Sequence, residues 1–275
     1  MDSQAIGQEL AEAPSAGVEQ LAAAALKSLW RTAGRLGPLW LIGTLFIALK
    51  IVATNGLLAG ASEVQAGMTT GALELAGHVL PAAVSGLAIR MYLGRGRDAW
   101  KLDGAFWRYV GVITLLSLAP VMLSVWVNTL WTGGLPKLDM GLLAEATIAA
   151  AVLILLVWST LRLLLWPVGR LMGEADMTPD RSWSLMRGGV VGFFGASTLL
   201  TAPLFMLSMI PAMLTLHGDH AQGELLGAPL GSAMTLVFAA VAAEIYRLRL
   251  ADLAGRPRPV AEVPPGQQRL TASTS

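Results

Sequence analysis

The stretch AEATIAAAVLILLVWSTLRLLLWP, residues 144–167, decides the fold. Between Glu145 and Arg162 it carries no charged residue, and it closes on Arg162, Trp166 and Pro167. An apolar helix of roughly 20 residues covers about 30 Å of hydrocarbon. Trp and Arg at its end are the residues that anchor a span at the membrane surface. The segment therefore reads as a transmembrane helix over about residues 143–166, with Glu145 solvated at its outer mouth.

Five further stretches follow the same pattern, at about residues 38–59, 67–90, 108–131, 189–213 and 227–247. The fold class expected is an all-α polytopic membrane bundle of six transmembrane helices. Composition agrees: 55% of the 275 residues are hydrophobic, 13% are charged and the mean hydropathy is +0.61. A soluble domain carries about 25% charged residues, so this chain lacks the polar surface that would wrap it in water. The expected organisation is a flexible N-terminus over 1–17, an amphipathic interfacial helix over 18–36, the six-helix domain over 37–250 and a disordered tail over 251–275. The interfacial helix follows from an apolar stripe at Val18, Leu21, Ala22, Ala25, Leu26, Leu29, Trp30 and Ala33, with Gln20, Lys27, Arg31 and Arg35 on the other side. The tail follows from Pro257, Pro259, Pro264 and Pro265 in a Ser/Thr/Gln-rich context.

Orientation comes from the basic residues. One side receives Lys27, Arg31 and Arg35, then Arg90, Arg95, Arg97, Lys101 and Arg108. Arg162, Arg170, Arg181 and Arg187 follow, then Arg247, Arg249, Arg256, Arg258 and Arg269. The other receives Lys137, and Lys50 lies within a span. This predicts a bacterial inner-membrane protein with both termini in the cytoplasm. The first residues, MDSQAIGQELAEAP, are polar and acidic and do not form a signal peptide.

An internal spacing recurs. Trp100 and Trp183 each precede a span, and twenty residues after each stands an Ala-Pro, Ala119-Pro120 and Ala202-Pro203. Trp30 precedes the first span by the same distance, but Lys50 takes the place of the Pro. The spacing predicts three repeated helical hairpins, each led by an amphipathic cytoplasmic helix. Coincidence is the alternative, because interfacial Trp and intramembrane Pro are both common.

Lys50, Glu74 and His78 are charged and titratable residues well inside the first two spans. At 1.5 Å per residue, Lys50 stands about 18 Å above the inner boundary, His78 about 16 Å and Glu74 about 22 Å. Antiparallel neighbours place Lys50 between the other two. The trio reads as a proton relay or polar binding site, or as an ion pair that locks one hairpin. A second candidate is an inner-interface charge cluster of Arg90, Arg162, Glu244 and Arg247, with ordinary anchoring of helix ends as its alternative. His217-Gly218-Asp219-His220 lacks the spacing of a metal site and reads as a loop.

Other chemistry is narrowed by what the sequence lacks. It has no Cys, which excludes disulfides, thiolate metal sites and Cys nucleophiles. It has no Gly-x-Ser-x-Gly, His-Glu-x-x-His, Walker loop or Gly-x-Gly-x-x-Gly. No catalytic residue, metal or cofactor is expected. A net charge of +1 without a clustered basic face gives no reason to expect nucleic acid. The expected partners are the bilayer, anionic lipid headgroups near the Arg- and Trp-rich cytoplasmic segments, and an unknown protein.

Arg162-Leu163-Leu164-Leu165-Trp166-Pro167, followed by Arg181-Ser182-Trp183-Ser184-Leu185-Met186-Arg187-Gly188, resembles a pattern of six-span bacterial membrane proteins. These are the glycerophosphoryl diester phosphodiesterase membrane-domain-like and YciC-like groups. The close match covers about 30 residues. The resemblance implies a membrane-embedded domain, sometimes joined to a lipid-degrading catalytic domain for which the soluble parts here are too short. The expected function is a non-enzymatic accessory, scaffold or lipid-associated envelope factor. The alternative is a small transporter or permease subunit built on Lys50, Glu74 and His78.

Overall fold

Long helices dominate because the apolar stretches run far beyond strand length, and they continue through internal prolines such as Pro38, Pro81, Pro203, Pro211 and Pro229. The computed structural model describes residues 17–57, 63–132, 142–216 and 220–255. In order they form α1 (Val18–Leu57), α2 (Glu63–Tyr92), a 3-10 turn (Gly96–Trp100), α3 (Gly104–Thr132), α4 (Leu142–Leu163), α5 (Leu165–Leu171), α6 (Pro179–Leu185), α7 (Gly189–Leu216) and α8 (His220–Gly255). No strand occurs among the described residues. Pro14–Arg247 is one compact unit; of the remainder, Met1–Ala13 and Leu248–Ser275, only the last turns of α8 are described. The flexible N-terminus and the tail beyond Gly255 expected above lie outside the described residues, as does most of the His217–His220 loop.

Among the described residues, five stretches are long and apolar enough to cross a membrane: Val18–Thr54, Thr69–Tyr92, Ala150–Leu171, Gly189–Met213 and Gln222–Ala251. α3 contributes a shorter apolar stretch, Gly104–Ala119, within its 29 residues.

Local chemistry sets where the helices stop. α2 and α5 end in the same way, with Gly94 (φ 82°) and Gly173 (φ 90°) in the left-handed region. There the Arg95 and Glu174 amides reach back to the Arg90 and Gly169 carbonyls. Asp103 caps α3 by accepting from the Phe106 amide at 2.9 Å. Thr178 caps α6, with Pro179 in the first helical position. The break between α4 and α5 has a tertiary cause. The Ser182 hydroxyl donates to the Arg162 carbonyl (2.8 Å) and accepts from the Trp166 amide (3.1 Å). It thus inserts into the helical ladder where the amide and carbonyl would have met, and Pro167 has no N–H for the next carbonyl.

One end of the bundle is closed around α8. α8 is buried at every residue from Ala239 to Tyr246, so other elements surround it there. Phe193 of α7 stacks on Phe238 at 6.5 Å. Tyr92 of α2 donates to the Leu236 carbonyl at 3.1 Å. Trp40 of α1 donates to the Pro229 carbonyl at 3.0 Å, and Ser232 donates to the Trp40 carbonyl at 2.9 Å. A side chain at Gly43 would collide with the Ser232 hydroxyl. The described outer walls of α4 and α7 are bare, with Ile154, Leu155, Phe205, Met206 and Ile210 exposed, and Val191 and Phe194 near the start of α7 as well.

α1 differs from the expected division at residue 36. It runs unbroken for 40 residues through Pro38, because a single Pro removes one ladder bond and leaves the rest of a long helix intact. Its first half is nevertheless steeply inclined to α8. Val18 packs on Gly195 of α7, near the level of Phe238, and Trp40 meets Pro229 and Ser232. Between these contacts α1 advances about 33 Å along its own axis, against about 14 Å along α8. In the crook lies an apolar groove of about 340 Å³, lined by Leu26, Leu29, Trp30, Ala33, Leu36, Gly37, Trp40 and Leu236.

Gly86 sets the approach of α2 to α3: an added Cβ would lie 2.9 Å from the Tyr109 ring and 3.3 Å from Phe106. Gly86→Ala is expected to destabilise the fold by about 1–3 kcal/mol through overpacking. Gly111→Ala has nothing within 4 Å of the new Cβ and should melt like the parent. Thermal unfolding in detergent checks this, and equal melting of both variants would contradict the close packing.

Candidate functional site

The structure brings Lys50 and Glu74 together. α1 and α2 run antiparallel, and Lys50 Nζ lies 2.9 Å from Glu74 Oε1. Gly77 makes room for the ammonium group: a Cβ there would come within 3.0 Å of Nζ. The pair is not sealed, with Lys50 26% exposed and Glu74 58% exposed. His78 turns away to α3, where its Nδ1 lies 3.0 Å from Ser117 Oγ. Ser117 in turn donates to the Thr114 carbonyl at 2.9 Å, and the buried Thr114 hydroxyl has no partner. Nearer the closed end of the same α2–α3 seam, Ser85 and Tyr109 share a hydrogen bond of 3.0 Å. Polar groups therefore mark the seam at several levels, from Tyr109 up to His78.

The four residues expected as one cluster occupy three settings. Arg90 is 2% exposed and joins the end of α2 to the start of α3. It donates to the Lys101 carbonyl and, at 2.7 Å, to Asp103 Oδ1, with Phe106 under its guanidinium at 5.7 Å. Glu244 and Arg247 pair one turn apart on α8 at 2.8 Å. Arg247 also donates to the Tyr92 carbonyl, which ties α8 to the end of α2. Arg162 stands apart from both groups, between Trp158 of α4 at 5.6 Å and Trp183 of α6 at 5.1 Å. Among the described residues Arg162 makes no ion pair.

No family model, characterised protein or solved structure matches the chain. The chemistry of these groups therefore has to be argued from their own geometry. Among the described residues no group of His, Asp and Glu has the arrangement of a metal site.

Several structural anchors had a readable signal that helix spacing alone passes over. Asp103 stands just before an apolar helix, the place of an N-cap, and it doubles as the partner of Arg90. Ser182 and Ser232 carried no such signal, because each acts on a helix distant in sequence. Arg95 likewise reaches from the end of α2 to the Met172 carbonyl at the end of α5.

Arg90 beside Asp103 holds that carboxyl below the ordinary carboxylate range, about 3.9. A group whose pKa is depressed by folding contributes stability above its unfolded value and loses it as pH falls through the folded one. Asp103→Asn keeps a capping side chain but removes the charge. It is expected to cost about 1–2 kcal/mol at pH 7, reduced because the carboxylate is half exposed and screened. The gap between parent and variant should close as the pH falls below the ordinary carboxylate value. Thermal melts from pH 7 to pH 3 test this, and a gap independent of pH would refute the charge pair.

Proposed function

We propose that this chain is a non-enzymatic integral protein of the bacterial inner membrane, threaded six times with both termini in the cytoplasm. It acts as an accessory, scaffold or lipid-associated factor of the envelope. The observation that carries the reading is a packed interior at one end of the bundle beside bare outer walls. A scaffold needs a closed, rigid interior and a wall left over for lipid or a partner, and here Ala239–Tyr246 are buried in succession while α4 and α7 are bare. The closed end also holds Arg90, Arg95, Arg162 and Arg247 with Trp100, Trp107 and Trp183 exposed around it. Those residue types suit the headgroup layer of an anionic leaflet.

Three further features support the six-span thread. α3 has 29 residues, enough to cross. Short Trp-bearing helices, Gly96–Trp100 and Pro179–Leu185, precede α3 and α7, as three repeated hairpins require. The inclined first half of α1, with Trp30 83% exposed, suits a helix near the plane of the membrane. Kinship with the six-span groups named above belongs to the same proposal.

A second reading, a small transporter with a polar site at Lys50, Glu74 and His78, is favoured by the polar α2–α3 seam. The two readings separate on the pair. Lys50→Met alone leaves the Glu74 charge unmatched in lipid, at a cost of about 2–3 kcal/mol, and should lower the amount of protein in the membrane. Lys50→Met with Glu74→Gln removes both charges and should restore that amount and complement a deletion strain. A double variant that accumulates normally but fails to complement would reject the structural role of the pair and favour transport.

A further inference from the structure

Arg162 is where the structure holds a charge in place with no oxygen set against its guanidinium. The other basic groups held in fixed positions have one. Lys50 has Glu74, Arg90 has Asp103, Arg247 has Glu244, and Arg95 and Arg170 have the Met172 and Met177 carbonyls. Arg162 has two indole rings instead, and its Nε is buried without a hydrogen-bond partner. An unpartnered donor on a charged group is costly to bury.

The arrangement is built rather than incidental. Trp158 lies one turn before Arg162 on α4. Trp183 follows Ser182, whose hydroxyl bridges the Arg162 carbonyl and the Trp166 amide. That bridge fixes α6, and with it Trp183, against the end of α4, and it takes only the backbone carbonyl of Arg162. No hydrogen bond of the bridge engages the guanidinium. Aromatic rings bind a guanidinium over its flat faces, whereas its N–H groups donate in the plane, from the edge. The rings satisfy none of the terminal N–H donors by a hydrogen bond, and the paired Nη donors of a guanidinium match two oxygens of a phosphate. Trp158 and Trp183 are 39% and 38% exposed, so the site opens to the outside of the bundle.

The geometry points to a phosphate-binding site at Arg162, in which the oxyanion meets the guanidinium edge between Trp158 and Trp183. The headgroup of an anionic phospholipid and free inorganic phosphate share this chemistry. The bare α4 wall beyond the site, with Ile154 and Leu155 exposed, gives acyl chains a surface that free phosphate does not use. The inference deepens the lipid-associated reading above and rests on it.

Native mass spectrometry of the full chain in detergent, titrated separately with phosphatidylglycerol and phosphatidylcholine, tests it. The parent should prefer phosphatidylglycerol. Arg162→Gln should weaken that binding at least about tenfold, since it removes a charge-assisted bidentate contact. Trp183→Leu, which keeps the charge and loses one wall, should weaken it by a smaller factor and decides the matter if Arg162→Gln does not fold. Arg97→Gln, at an exposed loop position, should bind like the parent. Displacement of the lipid by millimolar inorganic phosphate keeps the site but assigns it to the free anion. Unchanged phosphatidylglycerol affinity in folded Arg162→Gln and Trp183→Leu would overturn the site and leave the wider lipid reading standing. A parent that takes up no phosphatidylglycerol would overturn both.

Discussion

Arg90 carries its charge to a position where 2% of the side chain meets solvent, and the closed end of the bundle is arranged around that fact. A buried guanidinium needs partners for its charge, and here the two terminal nitrogens have them while Nε, as in Arg162, has none. The end of α2 must therefore stay beside the Lys101 carbonyl and the Asp103 carboxylate, and Asp103 must stay at the start of α3. Phe106, held under the guanidinium, brings α3 onto Gly86, where the missing side chain lets the Tyr109 ring approach. Two residues on, the Tyr92 carbonyl takes Arg247 and its hydroxyl takes the Leu236 carbonyl, so α8 is drawn to the same point. One charge thus links the end of α2, the start of α3 and the closed half of α8.

Beyond this end the constraints change. Outside the polar seam and the Lys50–Glu74 pair, the described far portions of α4 and α7 present Leu, Ile, Phe and Met outward. In water such surface would collapse or aggregate. In hydrocarbon it is the ordinary state of a span, since lipid tails are as apolar as Leu and no hydrophobic driving force removes such surface from lipid. In the proposed site, the same bare wall beside the tryptophan-flanked Arg162 serves the acyl chains of the bound lipid.

Much of this was legible in the residues, and the failures are specific. Depth along a helix is readable, because the rise per residue is constant, and that is how Lys50 and Glu74 meet as the arithmetic places them. Azimuth is not readable in the same way. His78 shares a face with Glu74 yet finds Ser117, since its partner depends on how α3 is turned. Arg162 shares a depth with Arg90 and Glu244 but faces α6. The stop at Gly94 and the cap at Asp103 follow from local rules. The break after Leu163 needs Ser182, nineteen residues further on, and is not a local property.

The account depends most on α3 being a span, so that the loops on its two sides face opposite compartments. The chain has no cysteine, so single cysteines can be placed without background and probed with a membrane-impermeant maleimide. Lys137→Cys should label in intact cells stripped of their outer membrane, whereas Arg97→Cys and Ser184→Cys should label only after the membrane is opened. Labelling of Arg97→Cys and Lys137→Cys from the same side would contradict the six-span thread.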